Sequence, residues 1–336
     1  MCSHRSDLGP LRVAITSSHP GHIGACASTT PFIDPALCSS SLRQSSGLTS
    51  GISCHLLAPF AVASKQACGS TILEWLPASE KRCNVGIAEC AEAVAASLAA
   101  ITSEAHRSKP TLMGHSLGGT LAAICAAIAP ATIGGLVLLG SPLCFRPDES
   151  TFRDALVSLV PEPVSDLEPY PGSILSHASA AASPETFVWS RLMDAFLSMA
   201  DGGAANIYAR VERWAFDEVA LPGKLVREIV ESLYRENQFC RGMLKVRQQI
   251  VGPENLSAPT LAVVNTADVV APLHSVSLIG EALGPEKFHI IEYPGETGVC
   301  LQHLGILVGR HAHARVWPQI IEWIMLQYER GSKLRG

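Results

Sequence analysis

Pro110-Thr-Leu-Met-Gly-His-Ser-Leu-Gly-Gly-Thr-Leu-Ala-Ala-Ile-Cys-Ala-Ala-Ile-Ala129 is the stretch on which the reading of this chain turns. Pro110 to Met113 is short and apolar, as a buried strand is. Thr120 to Ala129 is Ala-rich and helix-prone. Between them Gly114-His115-Ser116-Leu117-Gly118 has the form G-x-S-x-G. In a strand–turn–helix context that pattern has a mechanical meaning. A tight turn forces the central serine into a strained backbone conformation, and the flanking glycines let strand and helix approach without a Cβ between them. The Ser116 hydroxyl then projects above the sheet. The Leu117 amide lies at the helix N-terminus, where an oxyanion would sit. In a chain rich in glycine and serine the five residues also occur by chance, so the reading rests on the flanks and on the partners that follow.

The chain has 336 residues, 47% of them hydrophobic, and a net charge of −5. That length suits one large domain, or a core carrying an insertion. Mild acidity argues against nucleic acid as a partner, because no basic stripe would neutralise phosphates. Only 6% of residues are aromatic, too few for a surface that stacks single-stranded bases. No run of about 20 uninterrupted apolar residues is present, so no transmembrane segment is expected. No apolar leader core is evident at the amino end. The 11 cysteines include no C-x-x-C pair and no zinc-site spacing. They are read as reduced thiols in the cytoplasm, mostly small buried hydrophobes, with Cys125 packing inside the Ala-rich helix. No cofactor and no metal is implied.

Elsewhere the pattern alternates. Residues 1–50 are rich in Ser, Thr, Cys, Gly and Pro and form a poorly defined segment, with Leu11 to Thr16 a candidate strand. Ser70 to Pro77 reads as a strand. Val85 to Ala105 repeats Ile87, Cys90, Val94, Leu98 and Ile101 at helical spacing. Gly134 to Ser141 is an apolar run bounded by glycine, typical of a strand buried on both faces. Such alternation implies right-handed crossovers and a mainly parallel sheet. From Pro142 to about Leu256 helical segments dominate, notably Phe187 to Met199 and Lys224 to Tyr234, and no convincing strand returns. That length exceeds a loop. It reads as a helical cap over the carboxyl ends of the strands, a separate helical domain being the alternative, with Trp189 and Trp214 packing inside it or, alternatively, lining an acyl tunnel. Alternation resumes at Pro259 to Asp268, His274 to Leu283 and Lys287 to Pro294. A last helix carries Val316, Ile320, Trp323 and Ile324 on one side. The expected division is therefore 1–50, a core first part at 51–141, a cap at 142–256 and a core second part at 257–336.

A serine hydroxyl is nearly unreactive at neutral pH without a base, and the base needs a group to orient it. Asp268 ends the strand beginning near Pro259, where catalytic groups gather in parallel sheets. The structural alternative is an Asx turn or a helix cap before His274. His303, in Leu301-Gln-His-Leu-Gly305, follows the next strand by a Gly-rich loop. His311 and His313 compete with it, whereas His274 lies too close to Asp268. The order Ser116, Asp268, His303 is the one this strand–turn–helix serine motif takes. The second oxyanion donor is expected from an earlier loop, near Leu57 to Phe60.

From about Ile72 onward the chain resembles the polyhydroxyalkanoate synthases, a branch of the α/β-hydrolase superfamily. The segments that carry the resemblance are Gly114-His-Ser-Leu-Gly-Gly119, Trp214-Ala-Phe-Asp-Glu218, Leu233-Tyr-Arg-Glu-Asn237 with Gly242 after it, Asn265-Thr-Ala-Asp268 through Pro272, Gln302-His-Leu-Gly305 and Val316-Trp-Pro-Gln-Ile-Ile-Glu-Trp323. The resemblance implies an α/β-hydrolase fold, a mainly parallel sheet with a helical cap insertion. It places the nucleophile at Ser116, the aspartate at Asp268 and the histidine at His303. It also implies an acyl ester or hydroxyacyl-coenzyme A thioester as substrate and association with polymer granules, and it leaves an oligomer open. Two residues depart from the family pattern. The synthases carry cysteine where Ser116 stands, and usually glycine where Gln302 stands. A serine forms a more stable oxoester, for which water is the commonest acceptor. The expected function is therefore a serine acyl hydrolase or acyltransferase, with a polymerising synthase and a non-catalytic granule-binding protein as alternatives.

Overall fold

Strands rich in branched apolar residues and helices of small ones assemble into an eight-stranded sheet in a computed structural model of the chain. The structure describes residues 7–8, 11–16, 23–27, 69–75, 78–79, 83–105, 109–215 and 219–333. The strands are β1 (Asp7–Leu8), β2 (Leu11–Thr16), β3 (Ile23–Ala27), β4 (Gly69–Trp75), β5 (Thr111–His115), β6 (Gly135–Leu139), β9 (Thr260–Asn265) and β10 (Phe288–Tyr293). Their order across the sheet is β1-β2-β4-β3-β5-β6-β9-β10. The β1–β2 and β2–β4 pairs are antiparallel, and every pair from β4–β3 to β9–β10 is parallel. Leu11 to Thr16, read as a candidate strand, is β2.

β5 lies inside the sheet between β3 and β6, with His115 opposite Leu139. All five residues of β6 are buried, as its unbroken apolar run requires. Alternation along the strands divides the core into two layers. Leu136 and Leu138 face helix α1 (Ile87–Ala105) and helix α2 (Leu117–Ile128), packing with Val94, Leu98, Ile101 and Ile124. Val137 and Leu139 point the other way, toward Ile306, Trp317, Ile320 and Trp323. These come from α9 (Gln302–Val308) and from α10 (Trp317–Lys333), which a π-helical turn at Ala312–Val316 leads into. Ile324, the fourth residue of the expected apolar side, is half-buried against the same cluster.

Between β6 and β9 run α3 (Thr151–Leu159), α4 (Gly172–Ala182), α5 (Ser190–Ser198), α6 (Gly202–Ala215) and α7 (Gly223–Glu228). A π-helical turn at Glu185–Trp189 precedes α5, and another at Ile229–Arg235 extends α7. α8 (His274–Leu283) joins β9 to β10.

Three sequence readings are corrected here. The expected strand-free insertion contains a short antiparallel hairpin, β7 (Leu244–Val246) with β8 (Gln249–Val251). Each strand is three residues long, too short for alternation to register. The cysteines are not all free. Cys144 and Cys240 form a disulfide, their Cα atoms 5.1 Å apart although 96 residues separate them in sequence. Cys90, Cys125 and Cys300 are free, and Cys125 is buried as expected. Trp189, read as packing, is 59% exposed, and with Leu192, Met193, Phe196 and Leu197 it gives α5 an apolar outer face. Among the described residues no helix is long and apolar enough to cross a membrane.

Candidate active site

The turn after β5 is flanked by two glycines, one in the strand and one in the helix, that leave no room for a side chain. A Cβ on Gly114 would lie 2.5 Å from the Gly118 carbonyl oxygen and from the backbone of Gly119. A Cβ on Gly119 would lie 1.9 Å from Ser141 Oγ. Strand and helix touch here backbone to backbone. Ser116 takes up the resulting bend with φ 53° and ψ −130°, a conformation that L residues rarely adopt. Holding it costs about 1–3 kcal/mol, which the surrounding hydrogen bonds must cover. The Ser116 amide donates to the Leu139 carbonyl at 3.0 Å, and its own carbonyl accepts from Gly119 N at 2.9 Å and Thr120 N at 3.1 Å. Leu117 opens α2, where N–H groups have no acceptor within the helix. The segment expected to give a second donor, Leu57 to Phe60, lies outside the described residues.

Asp268 follows β9 by a tight turn in which its amide donates to the Asn265 carbonyl at 3.0 Å. Its carboxylate is nearly enclosed, at 4% exposure. Oδ1 accepts from the Val270 amide at 2.8 Å and Oδ2 from His303 Nδ1 at 2.6 Å. Burial alone would raise the carboxyl's pKa. The His303 imidazole and the amides of Val270 and Ala271 outweigh it and hold the group below the ordinary aspartate value. His303 stands in the first turn of α9 and is 8% exposed. With Nδ1–H given to Asp268, Nε2 is left free to take a proton.

The structure thus brings Asp268 and His303 together. Ser116 Oγ makes no hydrogen bond to His303 among the described residues. The connection between the two segments runs instead through the neighbouring residue. His115 Nε2–H donates to the His303 carbonyl at 3.0 Å, and the two imidazole rings lie 4.8 Å apart. An acceptor that can only be a carbonyl fixes the proton on Nε2. Burial, with the second imidazole beside it, pushes the His115 pKa down to about 3, so the ring is neutral. The competing histidines lie elsewhere. His313 Nε2 donates to the Leu307 carbonyl at 2.6 Å, His311 is tied through its amide to Glu296, and His274 contacts the Glu149 carbonyl.

Sequence reasoning singled out neither His115 nor Asn265. The buried Asn265 amide nitrogen donates to the Gln302 carbonyl at 2.6 Å, and its oxygen accepts from Ala267 N at 2.9 Å. One side chain thereby ties the Asp268 turn to the residue before His303. Gln302, which stands where the family usually has glycine, folds back on its own loop. Its Nε2 donates to the Glu296 carbonyl at 2.9 Å, and its Oε1 fills the space a Cβ on Gly295 would need. An Asn at a strand end beside an Asp was the available signal, and it reads equally well as turn chemistry. Among the described residues no group of three or more His, Cys, Asp or Glu side chains could hold a metal ion.

With this geometry in hand, comparison with known proteins finds three kinds of likeness. A family described as "alpha/beta hydrolase fold" matches residues 66–303. The poly(3-hydroxyalkanoate) polymerase subunit PhaC of Haloferax mediterranei is 25% identical over 232 residues, covering 66% of this chain and 44% of that protein. The subunit of the same name from Allochromatium vinosum is 24% identical over 224 residues, covering 66% of this chain and 61% of that one. The chain spans about half the length of the curated relatives it matches. Among solved structures, the monoacylglycerol lipase of Paleococcus ferrophilus superposes with a TM-score of 0.54 at 16% identity, covering 94% of this chain and 99% of that one. That likeness speaks to fold alone.

Proposed function

The chain belongs to the α/β-hydrolase fold family, an enzyme family, and from that premise we propose that it is a serine acyl hydrolase or acyltransferase acting on hydroxyacyl esters or thioesters. The observation that carries the reading is the 2.6 Å bond between His303 Nδ1 and Asp268 Oδ2, on the side of the sheet where the strained Ser116 turn ends β5. Residues 142–256 act in this reading as a helical cap. Its support is that Ser150 Oγ reaches the Val269 carbonyl and Asp194 reaches Gly298 and Cys300, all in loops at the carboxyl ends of β9 and β10.

In the first half-reaction Ser116 Oγ attacks the acyl carbonyl carbon as His303 Nε2 takes the hydroxyl proton. Charge develops on the carbonyl oxygen, and the Leu117 amide donates to it. Asp268 holds Nδ1–H, fixes the tautomer and stabilises the imidazolium. Collapse of the tetrahedral intermediate breaks the bond to the leaving thiol or alcohol, which receives the proton from His303 and leaves the acyl group on Ser116. Water, or the hydroxyl of an acceptor, then attacks by the reverse sequence. General-base action is worth about 10²–10⁴ in rate, and one oxyanion donor about 10²–10³. The open Ser116–His303 arm is compatible with this chemistry, since such bonds are often long before substrate binds.

A fluorophosphonate probe tests the proposal. The wild type should be labelled and Ser116→Ala should not. Equal labelling of both sinks Ser116 as the nucleophile, and labelling of neither leaves a non-catalytic binding protein on a hydrolase fold. The similarity to the polymerase subunits favours a second reading, chain growth on hydroxyacyl-coenzyme A. Labelled 3-hydroxybutyryl-coenzyme A distinguishes the two, giving insoluble polymer if the acceptor is another hydroxyacyl chain and free acid if it is water. The thermodynamic argument from serine favours free acid. We place the protein in the cytoplasm with a soluble acyl substrate. Cys144–Cys240 is the feature of the structure that pulls the other way, because such bridges persist mainly in oxidising compartments.

A further inference from the structure

The loop that delivers His303 is built from conformations that do not hold themselves. Gly298 has φ 88° and Cys300, which carries a side chain, has φ 66°. Val299, Cys300 and Leu301 form a three-residue turn centred on Cys300, closed by a bond from Leu301 N to the Val299 carbonyl at 2.7 Å. The amides of Gly298 and Cys300 find no backbone acceptor in their own segment. Buried amides need acceptors. Both find the same one. Gly298 N donates to Asp194 Oδ1 and Cys300 N to Asp194 Oδ2, each at 2.7 Å.

Asp194 belongs to α5, more than 100 residues earlier in the chain. It is buried at 9% exposure, on the inward side of a helix whose outer side is apolar and exposed. The neighbouring helix adds a second tie, since Cys300 Sγ donates to Glu212 Oε2 of α6 at 3.0 Å. Arg191 of α5 bonds the same Glu212 oxygen at 2.7 Å and so locks the two helices in register. Val299 and Cys300 pack with Ile207, Val211 and Leu304 in a separate small apolar cluster. The loop therefore takes its shape from the insertion rather than from the sheet. Three residues beyond Cys300 stands His303.

We infer that Asp194 is a positioning residue: its carboxylate, by accepting both loop amides, sets the orientation of the His303 imidazole toward the Ser116 turn. The inference rests on the proposed acyl-transfer reading, and it assigns to the insertion a part in assembling the site in addition to covering it. Ionised carboxylates accept such bonds with about twice the strength of neutral groups. An asparagine of the same shape can accept only one of the two, and its NH2 then faces the other donor.

The test is Asp194→Asn measured beside the wild type in two ways. Hydrogen exchange at the Gly298 and Cys300 amides should accelerate at least tenfold in the variant, with exchange in β5 and β6 unchanged. With a short p-nitrophenyl ester, kcat and the rate of fluorophosphonate labelling should fall about 10- to 100-fold while KM stays within about twofold, the pattern of a misplaced reacting group. Faster exchange with unaltered kcat overturns the inference, because the clamp would then be structural only. Unaltered exchange overturns it also. A wild type that the probe does not label sinks the acyl-transfer reading, and with it the catalytic half of this inference, while exchange still decides whether Asp194 holds the loop. Should Asp194→Asn fail to accumulate, Asp194→Glu, which keeps the charge but displaces it by a methylene, replaces it in both measurements with the same expected directions.

Discussion

At the scale of single residues, the site is a set of side chains whose neighbours leave them little choice. Gly114 is the clearest case. Its missing Cβ would meet backbone atoms of Gly118 and Gly119, none of which can rotate away. Gly114→Ala should therefore cost about 1–3 kcal/mol as an overpacking change and should disturb the Ser116 turn. Urea denaturation would read the first effect and probe labelling the second. Asp268→Asn should leave KM nearly unchanged and lower kcat by about 10³–10⁴, since an amide facing Nδ1 favours the wrong tautomer. The same residue has a stability consequence. Its pKa is lower folded than unfolded, so its contribution is present above the ordinary aspartate value and is lost as pH falls through the depressed one. Acid unfolding of Asp268→Asn should show a shallower dependence on pH below about 4 than the wild type. His115 behaves differently. It is neutral at every pH above about 3, so it adds no ionisation to the working range. His115→Phe should lower kcat through the unpaired His303 carbonyl and leave the shape of the pH–rate profile as it was.

At the scale of elements, burial separates parts of the chain whose sequences look alike. β6 and α5 are both rich in large apolar residues. β6 lies inside the sheet with Leu136 fully enclosed, whereas Phe196 on α5 is 69% exposed. Leu136→Ala should cost about 2–5 kcal/mol, a transfer loss plus a cavity. Phe196→Ser should change stability by no more than about 0.5 kcal/mol, as surface changes usually do. Thermal and urea melts of the two variants measured together check the contrast, and a large loss from Phe196→Ser would mean that the α5 face is covered. Most strands and helices of the core were legible because each announces itself over a short window, whereas β1 and β3, inside the segment read as poorly defined, were not. α1 shows its 3.6-residue spacing, β6 its glycine-bounded apolar run, and α10 with the turn before it a stripe of Val316, Ile320 and Trp323. The hairpin Leu244–Val251 was not, because three-residue strands with exposed Lys245 and Ile250 carry no pattern that differs from a loop.

At the scale of the whole molecule, contacts between distant segments decide what the local patterns left open. Cys144–Cys240 staples the loop after β6 to the segment after α7, closing a loop of 96 residues. Reduction should lower unfolding free energy by about 2–4 kcal/mol, mainly by freeing the unfolded chain. Denaturation with and without a thiol reductant measures it, and Cys144→Ser should behave as the reduced wild type does. A melt insensitive to reductant would mean that the pair is not joined in solution.

The amino-acid sequence by itself determined the layered sheet, the serine at a strand–helix turn, and the chain order of serine, aspartate and histidine. Each of these is written in spacing or turn chemistry within a few residues, where backbone sterics and burial periodicity act. Only the tertiary structure decided that Asp268 lies 2.6 Å from His303, that His115 and Asn265 support the histidine segment, and that Asp194 holds the loop before it. A hydrogen bond between segments 35, 106 or 188 residues apart leaves no periodic trace, because its partners share no element and meet only after the sheet has brought their loops to the same edge.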